Sequence, residues 1–98
     1  MRWVAIFQDG PGMVSVRNER GLAEHLGYLR QHAKEILIAG GLREAPEGPI
    51  VGGLWVMDVA TRERAVELVA NDPYFASGQR TYRLLTWAKA LEEREALL

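Results

Sequence analysis

Residues 19–42, ERGLAEHLGYLRQHAKEILIAGGL, carry apolar side chains at steps of three and four: Leu22, Leu26, Leu29, Ala33, Ile36 and Leu37. That spacing gathers them on one face of a helix and predicts a helix from Gly21 or Leu22 to Ala39, ended by Gly40 in the left-handed conformation. An apolar helical face needs a partner, and a sheet is the partner the rest of the chain offers. His25 stands three residues after Leu22 and four before Leu29, at the border of the stripe, and His32 repeats the position two turns on. Spacing alone does not choose between the two imidazoles.

Working outward, Trp3 to Gln8 is a short apolar run cut off by Asp9-Gly10-Pro11-Gly12, a first strand ended by turn chemistry. Met13 to Arg17 reads as a loop. On the other side of the helix, Gly41 to Ala45 reads as a short second strand and Pro46-Glu47-Gly48-Pro49 as a turn. Ile50 to Val59 is a third strand, because its content is β-branched and aromatic. Thr61 offers an N-cap hydroxyl to a second helix, Arg62 to Ala70. Asp72-Pro73 stops that helix, since the residue before a proline is pushed out of the α region. Tyr74 to Gly78 reads as a turn or loop, Gln79 to Trp87 as a fourth strand, and Ala88 to Leu98 as a helix.

The order is βαββαβ, the α+β pattern of a ferredoxin-like split βαβ domain that occupies residues 1–98. Right-handed crossovers put the first and third strands in the centre of a four-stranded antiparallel sheet, with both helices on one face. The central strands are nevertheless apolar at successive positions. Trp3, Ala5 and Phe7 alternate with Val4 and Ile6, and Trp55 and Met57 alternate with Leu54 and Val56, so both faces of the sheet call for burial. A second copy packed sheet on sheet covers the face without helices, which makes the expected state a homodimer. Trp3, Trp55 and Trp87 are assigned to that interface.

Composition removes several function classes. The chain has 98 residues, enough for one core, with 48% hydrophobic and 26% charged residues. A formal net charge of -1 and no basic run interleaved with aromatics argue against nucleic acid. With no cysteine, thiolate catalysis and cysteine-ligated metal are excluded. No stretch approaches a membrane span, the start MRWVAIFQDG lacks the apolar region of a signal peptide, and the cytoplasm is the expected compartment. The glycines do not form a phosphate-binding fingerprint, and Glu35, Glu44 and Glu47 with His32 have no metal-ligand spacing, so neither cofactor nor metal is expected.

The motifs carry a resemblance. His25-Leu26-Gly27-Tyr28-Leu29 resembles the H-L-x-Y-L of the first helix of YCII-related proteins, and Asn71-Asp72-Pro73-Tyr74-Phe75 with Gly78 resembles their D-P-F/Y-x-x-x-G element. Gly52-Gly53 ahead of Leu54-Trp55-Val56, and the capped helix from Thr61 to Val69, are similar to the family in the same order. The chain departs from it at Leu22, where an arginine is common, and at Gly41-Leu42-Arg43, where Gly-Pro is common. What the resemblance implies is a dimeric α+β barrel and a small-molecule enzyme with a His25/Asp72 pair. The topology supports the pair separately: the first helix starts where the first strand ends, the second helix ends where the fourth strand begins, and those strands are antiparallel neighbours. His32, roughly 10 Å further along the helix, is the poorer candidate.

Two functions follow. In one, a lyase or isomerase, His25 moves a proton on an activated small molecule and Asp72 orients the ring, with Arg20, Arg17 or Arg80, and Tyr74, binding substrate. In the other, a non-catalytic dimeric domain holds a metabolite, and His25 only donates a hydrogen bond. Each residue also has an ordinary structural reading. A histidine at a stripe border is more often a packing residue, and an aspartate before proline more often a cap.

Overall fold

The computed structural model describes residues 1–96. Its elements are β1 (Arg2–Asp9), α1 (Met13–Val16), α2 (Glu19–Gln31), β2 (Ile36–Arg43), β3 (Ile50–Asp58), α3 (Arg62–Ala70), α4 (Pro73–Ala76) and β4 (Arg80–Thr86). The strands form one four-stranded sheet in the order β2-β3-β1-β4, with every neighbouring pair antiparallel. This is the ferredoxin-like α+β arrangement, with β1 and β3 central. Among the described residues no helix is long and apolar enough to cross a membrane.

The opening stretch divides differently from its periodicity. α2 stops at Gln31, and Ile36 and Leu37 begin β2 instead of closing the helical stripe. The physical reason is tertiary. β3 needs a partner on its outer side, since an unpaired strand edge leaves a row of backbone donors and acceptors open. Ile36, Ile38, Ala39, Gly40, Gly41, Leu42 and Arg43 supply that partner, with irregularities after Ile36 and after Leu42. β-branched Ile36 and Ile38 suit a strand. Gly40 therefore lies within β2 and is not the helix terminator. The expected short strand at Gly41 to Ala45 overlaps only the end of β2.

Two short helices stand where the sequence suggests loops. α4 has Asp72 as its N-cap and Pro73 in its first turn, the position that tolerates a missing amide hydrogen. α1 buries Met13. The described part of Ala88 to Leu98 contains no helix, and residues 97–98 lie outside the described residues. A segment this short, without a packed apolar face, does not meet the cost of helix nucleation.

The helices cover one face of the sheet. Ala5, Phe7, Ile36, Trp55 and Met57 on the strands pack with Ala65, Leu68 and Val69 of α3. Phe7 meets Trp55 edge to face at 5.1 Å. Trp55 is thus a core residue and not the interface residue expected, Trp3 is packed against the same core, and Trp87 is exposed. Alternation sends Leu54 and Val56 to the other face together with Val4, Ile6, Ile38 and Leu85. On that face Ile38 and Leu85 are 48% and 42% exposed, although Val56 in its centre is buried.

Candidate functional site

β1 and α2 meet α4 and the start of β4 at one end of the sheet, and chemistry-bearing side chains collect there. Asn18 caps α2 by accepting from the Gly21 amide at 2.8 Å, so His25 falls in the second turn. One turn later the Tyr28 hydroxyl donates to the Leu68 carbonyl at 2.7 Å and ties α2 to α3. Burial raises the Tyr28 pKa, with a smaller contribution from Asp72, so this hydroxyl stays a donor. α3 ends at Ala70, and the chain turns at Asp72 into α4.

His25 Nδ1 lies 2.6 Å from Asp72 Oδ1, and Asp72 Oδ2 accepts from the Phe75 amide at 3.3 Å. The capping role and the histidine contact therefore coexist in one carboxylate, each on its own oxygen. The Asp72 side chain is wholly buried and that of His25 is 12% exposed. A carboxylate at this position accepts a hydrogen bond from Nδ1–H and leaves the Nε2 lone pair free. The Tyr74 ring stacks on the imidazole at 3.9 Å and 7°.

Beside this pair one carboxylate is shared by two guanidinium groups. Arg80 donates from Nε and Nη2 to Asp9 Oδ1 at 3.0 and 2.9 Å, and Arg17 Nη1 stands 2.6 Å from Asp9 Oδ2. With the Asp72 carboxylate on the other side of Tyr74, two cations and two anions surround that ring. The Arg80 guanidinium also lies 4.5 Å over the Phe7 ring. Gly53 permits that placement, because a Cβ there would come within 3.2 Å of Arg80 Nη2. Burial pushes the Tyr74 phenol above its ordinary pKa, a direction that Arg17 and Arg80 oppose and that Asp72 and Asp9 reinforce. Among the described residues the buried Tyr74 hydroxyl has no hydrogen-bond partner.

His25, Tyr74, Arg17 and Arg80 line a cleft of about 350 Å³, with Asp72 and Asp9 behind them. Its apolar walls come from Leu22, Leu26 and Leu29 of α2, and Gly41 and Gly53 keep the sheet side low. That is the lower end of the size range of small-molecule sites. Among the described residues, no three His, Cys, Asp or Glu side chains converge as metal ligands would.

The structure brings together His25, Asp72, Tyr74, Arg17 and Arg80. It does not bring Arg20, whose side chain is 89% exposed and pairs with Glu24 one turn along α2. Arg17, placed by the short helix α1, occupies the position that Arg20 was expected to share. His32 caps the far end of α2 against Tyr28, at 4.5 Å between rings, and is not part of the cleft. Sequence reasoning missed Asp9, which reads as a turn residue. Its register opposite Arg80 on β4 was the available signal.

A four-stranded antiparallel sheet in the order β2-β3-β1-β4 with helices over one face places the chain among the ferredoxin-like α+β domains. The sequence pattern of the YCII-related domain matches residues 1–88, and the chain belongs to that family. Among solved structures it is similar to 5-chloro-2-hydroxyhydroquinone dehydrochlorinase (TftG) from Burkholderia phenoliruptrix AC1100, in complex with 2,5-dihydroxybenzoquinone. That similarity has a TM-score of 0.78 and 25% sequence identity, covering 90% of this chain and 94% of the other. A search of curated proteins finds no match.

Proposed function

We propose that the chain is a dimeric small-molecule enzyme of lyase or isomerase type, in which His25 is the general base and Asp72 its positioning residue. The observation that carries this reading is the 2.6 Å contact of His25 Nδ1 with a carboxylate that has no solvent exposure, in a cleft where Nε2 is left for a ligand. The Nε2 lone pair takes a proton from the activated substrate. The electron pair released then either expels a leaving group, giving a lyase, or is reprotonated elsewhere, giving an isomerase. In a dehydrochlorination the proton goes to Nε2 and the C–Cl pair departs as chloride. The similarity to a dehydrochlorinase supports a reaction of this kind. Arg17 and Arg80, which line the cleft, offer guanidinium donors to a substrate oxygen on which charge develops.

The test is chloride release from 5-chloro-2-hydroxyhydroquinone, followed against the spontaneous rate. Release that saturates with substrate and is lost with His25 supports the reading. No release above the spontaneous rate, or release indifferent to His25, contradicts it.

The dimer rests on the face that carries Ile38, Leu85, Val4, Ile6 and Leu54. An apolar sheet face of this kind is covered most simply by its own copy under two-fold symmetry. Sedimentation at micromolar concentration is expected to give a dimer, and Ile38→Lys with Leu85→Lys to give a folded monomer. A wild-type monomer, or a doubly substituted protein that remains dimeric, contradicts this.

A further inference from the structure

A single hydrogen bond holds a ring at one point and leaves it free to turn about that point. His25 Nδ1 meets Asp72 Oδ1 at 2.6 Å, which fixes one edge of the imidazole but not its plane. A second contact supplies the plane. The Tyr74 ring lies face to face with the imidazole, centroids 3.9 Å apart and planes 7° from parallel. Both contacts come from one turn of chain: Asp72 is the N-cap of α4, Pro73 stands in its first turn, and Tyr74 follows. The Asp72 side chain and carbonyl accept from the Phe75 and Ala76 amides at 3.3 and 2.8 Å, which closes that turn. The carboxylate and the ring therefore move together or not at all. Tyr74 is 4% exposed, and the guanidinium carbons of Arg17 and Arg80 stand 5.5 and 5.8 Å from its ring centroid. Arg80 is itself buried and donates twice to Asp9, so the Tyr74 ring has a fixed support. Its hydroxyl is buried and meets neither donor nor acceptor among the described residues. What the position uses is the ring.

We propose that Tyr74 is a positioning residue, whose ring face fixes the plane of the His25 imidazole and so the direction of Nε2. This rests on the reading of His25 as the base and assigns the residue that aims it. Asp72 and Tyr74 divide the work. The carboxylate decides which ring nitrogen carries the proton, and the aromatic face decides where the other nitrogen points. Rate depends steeply on such aim, since a misplacement of about 1 Å costs on the order of 10²-fold. A residue that merely filled space would lose stability on truncation and leave the imidazole where Asp72 holds it.

The test compares Tyr74→Leu, which keeps apolar bulk without a flat face, with Tyr74→Phe, which keeps the face. ¹³C relaxation of the His25 ring carbons reports the mobility of the imidazole, and ¹⁵N shifts report its tautomer. Beside these stand kcat for chloride release from 5-chloro-2-hydroxyhydroquinone and affinity for 4-nitrocatechol, a flat arene with no chlorine to expel. In Tyr74→Leu the imidazole is expected to become mobile while its proton stays on Nδ1. There kcat is expected to fall by about 10²-fold, with little change in affinity for 4-nitrocatechol. Tyr74→Phe is expected to recover the rigid imidazole and most of kcat. It is expected to melt no lower than wild type, because it deletes a buried hydroxyl without a partner. A Tyr74→Leu imidazole as rigid as that of wild type overturns the proposal. So does a Tyr74→Phe protein no better than Tyr74→Leu, or a loss of affinity as large as the loss of kcat. A mobile His25 ring in the wild type overturns it without any variant. Mobility is read apart from turnover, so a protein that releases no chloride contradicts the proposed reaction and still decides the role of Tyr74.

Discussion

Replacing His25 by asparagine is expected to lower turnover by about 10²- to 10⁴-fold, the usual contribution of a proton-transfer group, with little change in stability. Asparagine is the informative substitute because its amide nitrogen stands close to where Nδ1 was. It can still donate to Asp72 Oδ1, while nothing replaces Nε2. His25→Ala is a harsher change than the residue's place at the border of a helical stripe suggests. Asp72 is wholly buried, and alanine removes the partner of one of its oxygens. A lost hydrogen bond to a charged group costs about 1.5–3 kcal/mol, so the alanine variant loses stability as well as activity. Parallel measurement of kcat/KM and of urea unfolding separates the two. A His25→Asn protein with wild-type turnover would remove the base from the mechanism.

A large loss of stability is expected on substituting Gly52. A Cβ at this position would stand 2.1 Å from the Phe7 carbonyl oxygen, a backbone atom of the neighbouring central strand that has no rotamer to swing away. β1 and β3 are the middle of the sheet, with Gln8 opposite Gly52, so relief requires the two strands to part. Gly52→Ala is expected to cost about 3 kcal/mol or more, at the upper end of what overpacking produces. In a chain of this size that lowers the unfolding midpoint by more than about 12 °C. Gly40→Ala is the matched control, since a Cβ there meets nothing within 4 Å. It is expected to be neutral. Thermal unfolding in which Gly52→Ala melts within a few degrees of wild type would show that the strand pair is looser than its register implies.

Much of this fold is legible in the sequence for identifiable reasons. Turn residues bracket β1 and β3, and Thr61 and Asp72-Pro73 bracket α3, so these elements fall close to where local chemistry puts them. The boundary between α2 and β2 is not legible in the same way. Ala33, Ile36 and Leu37 continue a helical period by coincidence, and only the open edge of β3 decides that Ile36 onward is a strand. The faces of β3 are fixed by alternation, but which face goes under the helices depends on packing: Trp55 and Met57 do, beside Phe7 and Leu68.

The candidate site was legible to a similar depth. Topology places His25 and Asp72 at the same end of the sheet before any coordinate is known. It does not tell which arginine points inward. Arg20 and Arg17 are three residues apart, yet one is on the solvent face of α2 and the other sits at the end of α1, against Asp9. The flat contact between Tyr74 and His25 also depends on α4, whose single turn was hidden in a stretch that reads as a loop.

The central claim is that Asp72 holds the His25 ring so that Nε2 is the free base facing the ligand. It is tested most directly by ¹⁵N spectra of the uncharged imidazole, recorded with and without saturating 4-nitrocatechol. The account predicts the proton on Nδ1, a bare Nε2, and a ligand-induced change centred on Nε2. A proton on Nε2 with Nδ1 bare, or an Nε2 signal indifferent to the bound ligand, would contradict it.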